Sequence, residues 1–155
     1  MSKDKFMKSL ERIAKELDMK ISRRENLLKE SRAAIALSSR AIVNIHTGKK
    51  TESEKELMQN NDLLIDLRKI AEEDLKRYLI PPETEYAEAM ILRAISADED
   101  IPSQKILKVG NEGYILGLLD AVGEIKRMVY DSLRKGEVTR ASDLFELMEE
   151  IYTRL

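Results

Sequence analysis

The 155-residue sequence contains no cysteine, which excludes a disulfide framework and any thiolate metal site. Its single histidine, His46, leaves any histidine-dependent proton relay resting on one side chain. At its position just before Gly48, the simpler expectation is that it caps the first helix. No apolar run approaches the ~20 residues needed to cross a bilayer, and residues 1–8 lack the apolar stretch of a signal peptide. The expectation is a soluble, cytoplasmic protein without a membrane partner. Neither sign of charge dominates, with 27 basic against 29 acidic residues. Net charge therefore makes no case for nucleic acid, and any such binding must come from local clustering. Prolines number only three and glycines six, and they fall between periodic segments. Together with the leucine, isoleucine, alanine, glutamate, lysine and arginine content, this predicts an all-α chain. With 43% hydrophobic residues the chain can bury a substantial core as one domain, 1–155.

Five main helices are predicted. The first runs from about residue 2 to 46, with Leu10, Ile13, Leu17, Ile21, Leu28, Ile35 and Ile42 inward and Arg24, Ser31 and Ser38 on the complementary seam. At about 65 Å it is longer than a domain of this size is wide, so its flanks are expected to meet other subunits. Thr51 to Glu54 reads as a capping box opening a second helix that continues to about residue 79, with Leu57, Leu64, Leu67, Ile70 and Leu75 inward. Pro81 and Pro82 break the chain and pre-set a third helix ending near Ala97. A loop and a short turn or helix through Leu107 follow. The fourth helix spans about 112–135, closed by Gly136, and the fifth starts near Thr139 and holds Leu144, Leu147, Met148, Ile151 and Leu155.

Two acidic pairs stand out. Glu85 and Glu88 lie in a stretch, 85–97, whose only other charge is Arg93, so the helix reads as interior and its carboxylates continue the Leu92/Ile95 face. In the fourth helix the expected core stripe is Ile115, Leu118, Leu119, Val122, Ile125 and Val129, with Asp120 and Glu124 opposite it on the side of Gly113 and Gly117. Three glycines within eleven residues, each costing a helix about 1 kcal/mol against alanine, point to close approach of another element or a ligand. The simpler readings are a solvated face for Asp120/Glu124 and an internal salt bridge, to Arg93 or another basic residue, for Glu85/Glu88.

The stretch 113–137, with Asp120-Ala121-Val122-Gly123-Glu124-Ile125-Lys126-Arg127 and the closing Ser132-Leu133-Arg134-Lys135-Gly136-Glu137, resembles the core motif of the translin family. Residues 38–48 and 142–152 resemble the family's first-helix terminus and the helix that follows the motif. Glu85-Tyr86-Ala87-Glu88-Ala89 and the Asp120, Glu124, Arg127 pattern resemble the catalytic branch, Trax (translin-associated factor X), rather than translin proper. The resemblance implies a translin-like helical bundle with a long N-terminal helix. It also implies assembly into a hollow, octamer-like homo-oligomer and metal-dependent endonuclease activity on single-stranded RNA, with single-stranded DNA as a further ligand. The family pattern continues past the fifth helix into one more C-terminal helix, and the sequence given ends at Leu155, before that helix. The basic, histidine-bearing stretch before the third helix in translin is replaced here by Lys76-Arg77-Tyr78.

If the two acidic faces pack together, four hard oxygen donors converge, a set suited to Mg²⁺ or Mn²⁺. Glu85, Glu88, Asp120 and Glu124 are the expected metal ligands and catalytic residues. Arg127, one turn beyond Glu124, is the expected phosphate contact, against the alternative of an ordinary ion pair with Glu124. Arg77, Arg40 and Arg32 are further RNA-contact candidates. Two other functions stay open: a non-catalytic, translin-like single-strand-binding protein, and an all-α nucleotide pyrophosphatase, which the Asp-x-x-x-Glu spacing fits poorly.

Overall fold

Helix α3 (Ile80–Ser96) is the element around which the others pack, and its composition explains why. Apart from Glu83, Glu85, Glu88 and Arg93 its residues are apolar or small, and eleven of its seventeen positions are buried. The computed structural model describes residues Lys3–Arg154, and among them the regular elements are all helical. Helix α1 (Lys3–His46) is followed by α2 (Lys50–Ile70), a 3-10 segment (Glu73–Leu79), α3, the short α4 (Gln104–Leu107), α5 (Asn111–Lys135) and α6 (Val138–Arg154). None is long and apolar enough to cross a membrane.

Helices α1 and α2 form an antiparallel pair. Asn60 on α2 donates from Nδ2 to the Ala34 carbonyl at 3.0 Å and to Ser38 Oγ at 2.7 Å, and Arg40 pairs with Glu56 at 3.0 Å. The face of α1 that packs is Leu27, Ser31, Ala34, Ser38 and Ala41. This corrects the expected inward set: Leu28, Ile35 and Ile42 are only partly covered, and Leu10, Ile13, Leu17 and Ile21 are exposed. The small seam wins because serine and alanine let the α2 backbone come close enough for Asn60 to reach across, which larger side chains would prevent.

Two other expectations need correction. Helix α2 opens at Lys50 with Lys49 as N-cap and no side-chain capping bond, so Thr51 to Glu54 is not a working capping box. It also stops at Ile70; Ala71 is extended and the chain resumes as the 3-10 segment, whose Leu75 is buried as expected. The start of α1 at Ser2 and the inward role of Leu155 lie outside the described residues. Proline in the first turn of α3 and left-handed Gly136 after α5 take their expected places.

Helices α3 and α5 run parallel, with the loop and α4 as the crossover. Gly113 faces Ile80 and Glu83, and Gly117 faces Thr84, Ala87 and Glu88, so both helices advance together. A Cβ on Gly117 would lie 2.5 Å from the Thr84 carbonyl oxygen and 2.9 Å from Ala87 Cβ. The buried face of α5 is therefore Gly113, Gly117, Ala121, Ile125 and Ser132. Of the expected stripe only Ile125 is fully buried; Ile115 and Leu119 are about two-fifths exposed. A row of residues without bulk allows two backbones nearly to touch, and the dispersion attraction between them outweighs burying the larger stripe. One cluster, including Leu27, Leu64, Leu67 and Ala87, joins α1, α2 and α3; a second, including Ile91, Leu92, Ile125 and Leu144, joins α3, α5 and α6.

A carboxylate cluster between helices 3 and 5

The close α3–α5 packing fixes where the acidic residues sit. Asp120 and Glu124 flank the glycine-and-alanine face that touches α3, rather than lying opposite the core. Across from them, Glu88 is buried, with 9% of its surface exposed, and Glu85 is half-buried on the same edge of α3. Burial pushes the Glu88 carboxyl up to about 7, with further contributions from the negative charges of Glu85, Asp120 and Glu124. Glu85 is likewise raised, first by burial and then by Asp120. The four side chains that sequence spacing singled out thus share one electrostatic environment. Neither Glu85 nor Glu88 has an ion-pair partner among the described residues: Arg93 pairs with Glu54 and Glu99, and Arg68 with Glu83. The salt-bridge reading of Glu85/Glu88 is therefore set aside.

His46 belongs to this site, which corrects its expected role as a cap. Its ring is buried, and Nε2 lies 2.5 Å from Glu124 Oε2. The last turn of α1 delivers it there, and the turn after it is closed by backbone bonds from Thr47, Gly48 and Lys49 without the imidazole. No local signal marks this role, because the partner is 78 residues away. Glu124 also receives Arg127 at 3.7 Å, with Arg127 59% exposed. The weak, solvated geometry of this pair matches the simpler reading of Arg127.

The donor chemistry suits a hard divalent ion: carboxylate oxygens in excess of positive charge, one imidazole, no sulfur. Among the described residues, however, no three acidic or histidine side chains are gathered tightly enough to hold one ion. Ion binding would have to draw the carboxylates inward by rotamer changes, which the half-buried Glu85 and the exposed Asp120 leave room for.

The proposed RNA contacts are scattered. Arg40 is tied to Glu56 on the outer side of α1 and α2, and Arg32 is exposed on α1. Arg77, in the 3-10 segment, lies 5.1 Å from the centre of the Tyr78 ring, whose hydroxyl also accepts from Arg24 Nε at 2.8 Å. The two guanidiniums hold the Tyr78 phenol below its usual range.

No protein-family model matches the chain. It is similar to an uncharacterized protein of Methanocaldococcus jannaschii, MJ0175, with 33% identity over 136 residues. The match covers 86% of this chain but only 61% of that relative, so the chain spans less than two thirds of its length. The crystal structure of AfC3PO superposes with a TM-score of 0.83 at 32% identity, covering 94% of this chain and 77% of that one. The structure of AfC3PO in complex with duplex RNA superposes at 0.79 with 30% identity over the same shares.

Proposed function

The chain belongs to the translin family, of Trax type, and from that premise we propose that it binds RNA in a homo-oligomeric particle and cleaves single-stranded RNA with the help of Mg²⁺ or Mn²⁺. The observation that carries the catalytic part is the charge-coupled cluster of Glu85, Glu88, Asp120 and Glu124, in which the buried Glu88 holds a proton up to about pH 7. Four carboxylates brought together, of which only Glu124 has basic partners, are destabilising unless something positive joins them. The structure of AfC3PO with duplex RNA supports the RNA-binding part.

In this reading the four carboxylates hold the ion, which when bound supplies an acidified water and neutralises charge at the phosphodiester. The protein's own work is positional. Close α3–α5 packing sets the spacing between the two acidic pairs. His46 fixes the orientation of the Glu124 carboxylate, as a supporting partner of a ligand residue does. Arg127, exposed beside Glu124, is free to exchange that weak pair for a phosphate oxygen. Assembly is supported by the apolar residues left uncovered on α1 and on the outer face of α5, among them Leu10, Ile13, Leu17, Leu116 and Leu119.

The test is cleavage of a short single-stranded RNA by the parent and by Glu88→Gln in Mg²⁺. Cutting by the parent and loss of cutting in the variant, at unchanged native mass, is the expected result; equal rates would sink the catalytic assignment. A second reading, RNA binding without turnover, is favoured by the separation of the donors, none of which meet in a group of three. It predicts metal-independent binding and no cleavage by the parent.

A further inference from the structure

The face of α5 that carries Asp120 and Glu124 continues past them. Met128, Asp131 and Lys135 follow at steps of four, three and four residues and line an open groove of about 690 Å³. The end of α1 and its turn, Ser96 of α3 and the start of α6 complete the wall. His46 stands between this groove and the carboxylates: Nε2 meets Glu124 on one side, and the ring lines the groove on the other. With Nε2 donating to the carboxylate, Nδ1 of the neutral ring is an acceptor, and it has no partner among the described residues. Ser132, 5% exposed, lines the same wall, and its hydroxyl makes no hydrogen bond among the described residues either. Two buried polar groups are thus left for a ligand to satisfy. The wall carries no net charge, because Lys135 and Arg140 are balanced by Asp131 and Glu137. It therefore does not select a phosphate. Ile45 and Met128 add apolar surface beside the two polar groups. A flat ligand with an uncharged, hydrogen-bonding edge suits such a wall, and that is the chemistry of a nucleobase.

We propose that this groove takes an unstacked base of the RNA strand, next to the phosphate that is cut, and that cleavage depends on which base stands there. The inference rests on the RNA-cleaving reading above and names a specificity site for it. Glu124 to Met128 is four residues of α5, about 6 Å along its axis. That is less than two nucleotides at the ~3.4 Å spacing of a stacked strand, so a base one or two positions from a phosphate at the carboxylates falls over the groove. His46 Nδ1 accepts an N–H of the base edge, the Ser132 hydroxyl pairs with a neighbouring atom of that edge, and Met128 lies against the ring.

The test is to digest a pool of short single-stranded RNAs of random sequence with the full chain in Mn²⁺ and to read the base frequencies on either side of the cut, for the parent, Ser132→Ala and Ser96→Leu. Ser132→Ala removes only an unpartnered hydroxyl, and Ser96→Leu adds bulk to the groove from an exposed position, so neither disturbs the core. The parent is expected to favour one base about two- to tenfold at a position within two nucleotides of the cut, the effect of one hydrogen bond. Both variants should still cut, with that bias flattened. A parent that cuts without bias at those positions, or variants that cut with the parent's bias, overturn the base site and leave the nuclease reading intact. A parent that cuts nothing overturns that reading, and this inference with it.

Discussion

The Thr84 carbonyl oxygen sits where a side chain on Gly117 would have to go, 2.5 Å from the position of its Cβ. The obstacle is backbone, so neither helix can yield without moving as a body. Gly117→Ala is therefore expected to cost about 1 to 3 kcal/mol, the range for overpacking a tight interface, and to spread the two acidic pairs. Gly123 on the same helix meets nothing within 4 Å, so Gly123→Ala should be neutral or stabilising by up to about 1 kcal/mol. Denaturant midpoints of the two variants, which should move in opposite directions, check this.

Glu88 makes stability fall as pH rises. Its folded carboxyl titrates at about 7 against an ordinary 4.5, so below 4.5 both folded and unfolded states are protonated and it costs nothing. Between 4.5 and 7 the unfolded state loses the proton first, and above 7 the penalty is complete. Glu88→Gln should match the parent near pH 4.5 and exceed it by about 1 to 3 kcal/mol above pH 7, without added metal. Unfolding free energies of both proteins across that range supply the difference curve; a flat difference would contradict the buried charge.

The same proton competes with a cation. In the metal-binding reading, Mg²⁺ or Mn²⁺ raises the melting temperature of the parent more at pH 8 than at pH 5.5, because at the lower pH the ion must first displace the Glu88 proton. At a hundredfold excess over its dissociation constant the ion adds about 2.7 kcal/mol. Glu88→Gln/Asp120→Asn should lose the response. A parent whose melting is indifferent to either ion at pH 8 argues for binding without catalysis.

Removing the imidazole tests its supporting role. His46→Ala leaves Glu124 with only the exposed Arg127, and metal affinity should drop by about 10 to 100-fold, the usual consequence of removing such a support. Isothermal titration with Mn²⁺ measures this independently of RNA cleavage. If the histidine merely filled space, a variant of similar shape such as His46→Leu would restore affinity.

Assembly should depend on the uncovered half of α1. Phe6, Leu10, Ile13 and Leu17 are spaced four, three and four apart, and the same rhythm continues into the packed Leu27, Ser31, Ala34, Ser38 and Ala41. Ile13→Asp/Leu17→Asp introduces charge on that seam without touching the intrachain core. Native mass should shift from oligomer to smaller species; an unchanged mass would place the subunit interface elsewhere.

The helix boundaries after Ile80 were legible because proline, glycine and apolar period agree there, at Pro81, Pro82 and Gly136. Glu85 and Glu88 stood out because charge in an apolar helix has few explanations, whereas Asp120 and Glu124 did so only through the glycine-lined side of their helix and the family pattern. The inner faces of α1 and α5 were not, since counting apolar residues favours large side chains, whereas Asn60 and Gly117 show that close approach, not size, selected the packed face. The spacing of Gly113, Gly117 and Ala121 at every fourth position was the available signal, and it pointed to a neighbouring backbone. His46 was beyond local reading, because a lone histidine at a helix end looks the same whether its partner is water or a glutamate from a distant helix.

The pairing of His46 with Glu124 also makes the cluster a late product of folding. The α1–α2 hairpin closes over a short loop, but this pair needs α3 in place and a segment of 78 residues folded back on itself. A nascent or partly unfolded chain therefore carries the acidic residues without their arrangement. The arrangement of the four carboxylates therefore exists only once α5 has docked against α3 and the end of α1.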